Sequence, residues 1–201
     1  MSCIATFDIG TTAVKAVLVG ETGEVMAQRS REISTRYEAG TVTQQPEDWW
    51  EAFRALSAEM LPGAPEIMGI VMSGQMQDVI PVDAALKPVC PAILYSDGRA
   101  GAEAEEIRSE ARKDGEDGTD PCLRITGNHC DGTLSLPKIR WLKKHAPAVY
   151  EQARCFLISS KDYVIARLTG ETVGDYTACS TAGGMELERK EWSGRILNAA
   201  G

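Results

Sequence analysis

The feature that most constrains the fold of this chain is a glycine turn between two apolar runs at its N-terminus. The first run covers residues 4–9, the turn residues 10–12 and the second run residues 13–19. A further turn at residues 20–23 leads into a more polar run over residues 24–34. Three strands joined by tight turns predict an antiparallel meander. The pattern excludes a dinucleotide-binding fold in which a helix directly follows the first strand.

After the meander, a helix is predicted to begin at Pro46, because proline suits the first helical position. Trp49, Phe53, Leu56 and Met60 recur at the spacing of one helical face. This apolar face predicts a helix that packs against the sheet.

The rest of the chain alternates between apolar runs and amphipathic or charged segments. An apolar run over residues 67–73 predicts a strand buried on both faces. Further strands are predicted at residues 79–82, 92–95 and 155–158, further helices at residues 98–113, 136–145, 148–153 and 161–169, and an exposed loop at residues 114–120. The order of elements predicts an α/β fold, in which a β-meander is followed by a mixed sheet with helices on its faces.

The net charge and the hydropathy of the chain limit the classes of partner that it could bind. Its 201 residues carry a formal net charge of -8, which argues against nucleic-acid binding through phosphate neutralisation. Backbone N–H groups can still bind a phosphate in an acidic protein. No apolar run approaches the roughly 20 residues of a membrane span, and the N-terminus lacks the pattern of a signal peptide. We therefore expect a soluble cytoplasmic protein that binds neither nucleic acid nor a membrane.

The cysteines give little functional information. The chain has 6 of them, and their spacing fits neither a disulfide framework nor a zinc motif. We expect reduced, partly buried thiols. His129 lies beside Cys130, but the chain has only 2 histidines, and we do not expect this pair to bind a metal.

The strongest chemical signal lies in the first turn. Asp8 stands near the end of an otherwise apolar strand, where a carboxylate is costly to bury unless it is paired, hydrogen-bonded or near a metal. Gly10 allows a tight turn or the close approach of a ligand. Thr11 and Thr12 offer N–H and hydroxyl donors to phosphate oxygens, and Lys15 on the next strand offers a cation.

Because Mg²⁺ prefers oxygen ligands and usually keeps several waters, this set of groups is typical of a Mg²⁺–phosphate site. From the motif alone, an ordinary hairpin with a solvent-facing aspartate is the alternative interpretation.

The segment resembles the first phosphate loop of the superfamily that contains sugar kinases, actin and heat-shock ATPases. Asp8, Gly10, Thr11 and Thr12 match this loop position by position, and Lys15 resembles the Lys or Arg that many sugar kinases carry there. The resemblance implies a ribonuclease-H-like α/β domain of the actin-like ATPase type, with ATP and Mg²⁺ as cofactors. It also implies that Asp8 acts on the metal through water while the threonines face the phosphates.

Seven further segments resemble the FGGY carbohydrate kinases, and the xylulokinase branch in particular, in the order in which that family has them. They lie at residues 44–50, 69–76, 91–99, 125–128, 137–141, 161–163 and 175–180. Each match alone is weak, but together they cover essentially the whole chain. The resemblance implies ATP-dependent phosphorylation of a sugar, a pentulose or related polyol. Met76, Gln77 and Asp97 are the candidate sugar-binding residues.

One departure from the family pattern lies in the sugar segment. The xylulokinase pattern has His after Gly-Gln-Met, whereas this chain has Gln77. Glutamine can hydrogen-bond sugar hydroxyls but cannot carry a charge as histidine can. The change fits a polyol site and puts D-xylulose itself in question. The following Asp78 is either a further hydroxyl acceptor or a solvated turn residue.

The second departure concerns the catalytic base, which the family places in a Gly-Gly-x-Asp-Asn motif. No such motif occurs up to Gly201, since residues 183–186 lie too early and lack the Asp-Asn pair. We therefore expect residues 1–201 to be an incomplete N-terminal domain without the C-terminal domain, and to be inactive alone. A non-catalytic sugar-sensing or assembly module on an actin-like half-domain is the rival interpretation. Apolar surface and strand edges left open by a missing domain would favour a homo-oligomer.

Overall fold

The structure of the chain is a computed structural model, which describes residues 2–112 and 119–201. Residues 114–118 of the loop predicted at residues 114–120 lie outside the described ranges. In the part of the chain that is described, no helix has the length and apolar character needed to cross a membrane.

Groups of strands and groups of helices follow one another along the chain, and both classes of element are present as the α/β prediction requires. The strands are β1 (Ser2–Ile9), β2 (Ala13–Gly20), β3 (Val25–Glu32), β4 (Arg36–Glu38), β5 (Thr41–Gln44), β6 (Glu66–Gly74), β7 (Met76–Val82), β8 (Ala92–Ile93), β9 (Cys155–Ser159), β10 (Met185–Glu186) and β11 (Glu191–Trp192). The helices are α1 (Pro46–Met60), α2 (Gly101–Ala111), α3 (Pro121–Thr126), α4 (Ser135–His145), α5 (Pro147–Gln152), α6 (Ser160–Thr169), α7 (Tyr176–Thr181) and α8 (Gly194–Ala200).

The predicted meander forms three strands of a four-stranded sheet with the order β3-β2-β1-β6. The pairs β1–β2 and β2–β3 are antiparallel, and β6 adds in parallel to β1, so the sheet is mixed. This order brings three polar residues into one row, because Asp8 on β1 pairs with Lys15 on β2 and with Ser73 on β6.

A second sheet has the order β4-β5-β8-β7-β9. Only Gln75 separates β6 from β7, so the chain passes from the first sheet to the second across a single residue. The two sheets therefore meet at the end of β6, beside the turn that carries the strongest chemical signal.

The predicted apolar face of α1 is confirmed. Trp49, Phe53, Leu56 and Met60 are all buried, and they join the core that α1 and α6 form on one face of the first sheet. The rings of Phe7 and Phe53 lie 4.6 Å apart between their centroids. This packing fixes β1, and with it the position of the first turn.

The prediction that residues 67–73 form a strand buried on both faces is wrong. The strand exists as β6, but Met68, Ile70 and Val71 are 67%, 48% and 57% exposed. Among the described residues β6 is the edge of its sheet, with β1 as its neighbour. A continuous apolar run favours burial of a strand, but the run does not show which segment, if any within the chain, covers that strand.

Candidate functional site

The turn between β1 and β2 is closed by its own backbone. The N–H of Gly10 donates to the carbonyl oxygen of Ala13 over 3.1 Å. A Cβ atom on Gly10 would lie 3.0 Å from that oxygen, which is why glycine suits this position. Thr12 follows in the turn and is exposed. The turn therefore presents backbone and a hydroxyl group to the solvent at the end of the sheet.

Asp8 lies beside this turn and is held in place by β6. Its Oδ1 accepts a hydrogen bond of 2.8 Å from the Oγ of Ser73. Lys15 is exposed and stands directly across from Asp8 on β2, and cross-strand partners project from the same face of a sheet. A carboxylate, a hydroxyl and an ammonium group thus line one row next to the turn. These are oxygen ligands suited to Mg²⁺ and a cation suited to phosphate.

Thr11 is tied to two glutamine side chains in a closed ring of hydrogen bonds. Its Oγ1 donates to Oε1 of Gln75 over 3.0 Å, and Nε2 of Gln75 donates to Oε1 of Gln44 over 2.8 Å. Nε2 of Gln44 then donates to the carbonyl oxygen of Thr11 over 2.6 Å. Neither glutamine is predicted as a site residue from the sequence, because a polar side chain at the end of a strand is usually solvated.

The candidate sugar segment begins directly after Gln75. Gln77 has a φ of 64°, a left-handed conformation that residues other than glycine rarely adopt and that is often kept at functional sites. Its carbonyl oxygen accepts a hydrogen bond of 3.0 Å from Nζ of Lys138. Met76 is partly buried and packs against Ile158 and Ala178.

Asp78 is fully buried in β7 and is therefore not a solvated turn residue. Its Oδ1 accepts the N–H of Tyr95 over 3.1 Å. Its Oδ2 is buried and finds no hydrogen-bond partner among the described residues. Burial raises the pKa of Asp78 well above its usual value, although the charge of Lys138 opposes this. Asp78 thus has one acceptor position left inside the protein.

Lys138 connects the two segments that flank the candidate sugar site. Its side chain is buried, and Nζ donates to Leu94 over 2.7 Å as well as to Gln77, in both cases to the carbonyl oxygen. Burial lowers the pKa of Lys138 to about 8, against the attraction of Asp78 and Asp97. The ammonium group therefore joins the start of β7 to the loop after β8.

The structure places Asp97 in that loop with both oxygens occupied. Oδ1 accepts from Nε of Arg99 over 2.9 Å, and Oδ2 accepts from Nη2 of Arg99 and from the N–H of Val42, both over 2.6 Å. Burial opposes the ionisation of Asp97, but these donors outweigh it and hold its pKa below the usual value. Because Asp97 is fully buried, the half-exposed Tyr95 is the more accessible side chain of this loop.

Lys161 and Asp162 lie at the start of α6, and Asp175 directly precedes α7. Nζ of Lys161 lies 2.6 Å from both Asp162 and Asp175. The start of α6 also contacts the end of β1, because Oγ of Ser160 donates to the carbonyl oxygen of Ile9 over 2.6 Å. A Cβ atom on Gly74 would lie 2.5 Å from that same Oγ. Glycine at this position therefore allows α6 to approach the junction of the two sheets.

The structure thus groups the predicted site residues into two neighbouring sets. Asp8, Gly10, Thr11, Thr12 and Lys15 surround the first turn. Met76 and Gln77 follow Gln75 at the start of β7. Lys138 hydrogen-bonds the carbonyl oxygens of both Gln77 and Leu94, and the N–H of Asp97 also donates to Leu94. In the described ranges, no cluster of three His, Cys, Asp or Glu side chains could hold a metal by itself.

Comparisons with known proteins identify the family of the chain. Residues 3–201 match the model of the N-terminal domain of the FGGY family of carbohydrate kinases. The chain is 32% identical over 197 residues to the xylulose kinase of Klebsiella pneumoniae, covering 96% of this chain and 38% of the relative. It is 33% identical over 206 residues to the xylulose kinase of Bacillus subtilis, covering 100% and 40%. The crystal structure of xylulose kinase from Rhodospirillum rubrum matches with a TM-score of 0.88 and 30% identity, over 98% of this chain and 40% of that one. The chain therefore spans about two fifths of the length of these relatives.

Proposed function

Because the chain belongs to the FGGY family of carbohydrate kinases, as its N-terminal domain, we propose that the whole protein transfers a phosphoryl group from MgATP to a hydroxyl group of a sugar. The fold class predicted from the sequence is confirmed by the same family match and by the similarity to the xylulose kinase structure. The observation that carries the proposal is the hydrogen bond from Thr11 of the first turn to Gln75, the residue that directly precedes Met76 and Gln77.

Phosphoryl transfer depends on positioning and on neutralising the charge of the phosphates. The oxygens of Asp8 and Ser73 fit a hydrated Mg²⁺ ion, which would offset the charge of the phosphates when bound. The N–H groups of Thr11 and Thr12 and the hydroxyl of Thr12 would bind phosphate oxygens. Lys15 would add a positive charge at the same place.

The sugar would lie against the start of β7, on the other side of Gln75. Met76 offers an apolar contact and Gln77 an amide that can both donate to and accept from hydroxyl groups. The exposed part of Tyr95 adds a further contact surface in the loop after β8. Asp97 would act here through Arg99 and the loop backbone, since its oxygens already have donors.

The general base that accepts the proton of the sugar hydroxyl is proposed to lie outside residues 1–201, because the Gly-Gly-x-Asp-Asn motif is not among them. On this proposal, residues 1–201 bind and position both substrates but do not catalyse transfer alone. The proposed substrate class is a pentulose or related polyol, by similarity to relatives named xylulose kinase.

A sugar screen on the whole protein tests the proposal. Release of ADP from MgATP is measured with D-xylulose, L-ribulose, gluconate and glycerol, and product is identified by mass. We expect release of ADP with at least one of these polyols and none without a polyol. If every polyol leaves the rate at the background level while MgADP still binds, the chain is a binding module and the kinase proposal is wrong.

A further inference from the structure

We propose that Gln75 is a positioning residue that couples the phosphate turn to the sugar strand, through its ring of hydrogen bonds with Thr11 and Gln44. This inference rests on the proposed function, because it describes how the phosphate part and the sugar part of that site act together. Gln75 itself touches neither substrate in the proposed site.

The direction of each hydrogen bond in the ring is fixed from the core outwards. The indole Nε1 of Trp49, which can only donate, lies 3.0 Å from Oε1 of Gln44. The amide nitrogen of Gln44 must therefore be the atom that faces the carbonyl of Thr11 and the hydroxyl of Thr35. Because Gln44 is buried and all four of its hydrogen-bond positions are used, its amide cannot turn over without losing bonds.

The fixed orientation of Gln44 in turn orients Gln75. The Oε1 atom of Gln44 can only accept, so Nε2 of Gln75 faces it and Oε1 of Gln75 faces Thr11. The hydroxyl of Thr11 must then donate its proton to Gln75. It follows that Thr11 presents a lone pair to the site, which suits water or a metal ion but not a phosphate oxygen. Thr12 is left as the hydroxyl that can donate to phosphate.

The main chain of Gln75 is held as firmly as its side chain. Its N–H donates to the carbonyl oxygen of Ile9 over 3.1 Å, at the end of β1. Its carbonyl oxygen accepts from Oγ of Ser159 over 2.7 Å and from the N–H of Ser160 over 3.2 Å. Gln75 thus contacts β1, β5, the first turn and the start of α6, and Met76 follows it directly. A shift of the turn therefore changes the position of the sugar strand.

The first test needs no ligand and reads the coupling by NMR. Thr11→Val removes the hydroxyl that donates to Gln75, and Thr12→Val is the matched control at the exposed neighbouring position. The indole signal of Trp49, identified among the 4 tryptophans by Trp49→Phe, reports on the core end of the ring. The amide signals of Met76 and Gln77 report on the sugar strand.

We expect Thr11→Val to shift the Trp49 indole and both amide signals, and Thr12→Val to leave them in place. The inference is overturned if Thr11→Val leaves these signals where they are, or if the two variants shift them equally. This result does not depend on whether the protein is a kinase, so a failure here is distinct from a failure of the proposed function.

The second test measures coupling in the whole protein. Coupling between two binding sites is reciprocal. In the natural protein, D-xylulose should therefore lower the dissociation constant of MgADP, and the ratio of the two dissociation constants is the coupling factor. Gln75→Ala should reduce this factor towards one. The loss of the two side-chain hydrogen bonds should also weaken both ligands, roughly five- to tenfold each. Gln77→Ala, by contrast, should weaken D-xylulose alone.

A purely structural role for Gln75 would reduce the amount of folded protein without changing the coupling factor, so the factor is the deciding readout. If Gln75→Ala binds MgADP and D-xylulose with an unchanged factor, the inference is wrong. If the natural protein binds MgADP but not D-xylulose, the polyol that releases ADP in the screen takes the place of D-xylulose. If it binds neither MgADP nor any of these polyols, the proposed function fails, and the NMR experiment alone decides the coupling.

Discussion

At the scale of single residues, the buried polar groups around the site decide how it is held. Asp78, Lys138, Gln44 and Asp97 are all fully or almost fully buried. Buried polar groups are costly unless they are hydrogen-bonded, and each of these four side chains has at least one bond to a backbone atom of the first turn, β5, β7 or the loop after β8. Their common effect is to fix the backbone beside the candidate site.

Lys138 gives the clearest prediction at this scale. In Lys138→Met, the carbonyl groups of Gln77 and Leu94 lose a buried donor, and Asp78 loses the positive charge that opposes the rise of its pKa. Leaving a buried acceptor without its donor typically costs about 1–3 kcal/mol. We expect the free energy of unfolding in urea to fall by about that amount.

The matched control is Lys144→Met on the same helix. Lys144 is 40% exposed and pairs with Glu103 and Glu106, so its loss should cost less than about 1 kcal/mol. Equal losses in the two variants would contradict the structural role of Lys138.

At the scale of secondary-structure elements, α7 shows how one side chain serves two purposes. Asp175 caps this helix by accepting the N–H of Ala178 over 3.0 Å, and it also pairs with Lys161 at the start of α6. Hydrogen bonding from Lys161 is the largest cause that lowers the pKa of Asp175 to about 2. The two helices are thereby joined through one carboxylate.

Asp175→Asn separates these two purposes, because asparagine caps helices as well as aspartate does. A carboxyl whose pKa is lowered by folding stabilises the protein above its unfolded pKa of about 4. That stabilisation is lost as the pH falls from about 4 towards 2. In the natural protein, the melting temperature should therefore fall over this range by more than it does in Asp175→Asn.

Because Asp175 is half-exposed, the difference at neutral pH should stay below about 1 kcal/mol and shrink in high salt. Parallel curves of melting temperature against pH for the two proteins would contradict the role of the ion pair.

The elements also show what could be predicted from the sequence. The meander and α1 were predicted correctly because turn residues and helical periodicity are local properties. The short strands β4 and β5 and the helices α3, α7 and α8 were not predicted, because segments this short depend on packing rather than on their own periodicity. The ring of Thr11, Gln44 and Gln75 joins residues far apart in sequence, so no local pattern could indicate it.

At the scale of the whole molecule, the four-stranded sheet ends in the apolar strand β6. Val71 projects from the face of the sheet on which Ile4 is also exposed, and both side chains are more than two fifths exposed. Long apolar edge strands readily pair with another chain. The chain spans about two fifths of its relatives, and we propose that residues 1–201 alone self-associate through β6.

Val71→Lys tests this proposal, because a charged residue on an edge strand opposes pairing. Light scattering after size-exclusion chromatography should show a dimer or larger species for residues 1–201, and a smaller mass for the variant. Val173→Lys is the control, since Val173 is similarly exposed and lies outside the sheet. A monomer in all three cases would rule out association through β6.

The central claim is that the turn beside Asp8 binds a Mg²⁺–nucleotide. It is tested most directly by calorimetric titration of the whole protein with ADP, with and without Mg²⁺, in the natural form and in Asp8→Asn. We expect Mg²⁺ to lower the dissociation constant of ADP in the natural protein. In Asp8→Asn the ratio of the dissociation constants without and with Mg²⁺ should fall at least tenfold, because a neutral amide is a poor ligand for hydrated Mg²⁺. If Asp8→Asn keeps the full gain from Mg²⁺, the metal does not bind beside this turn and the central claim is wrong.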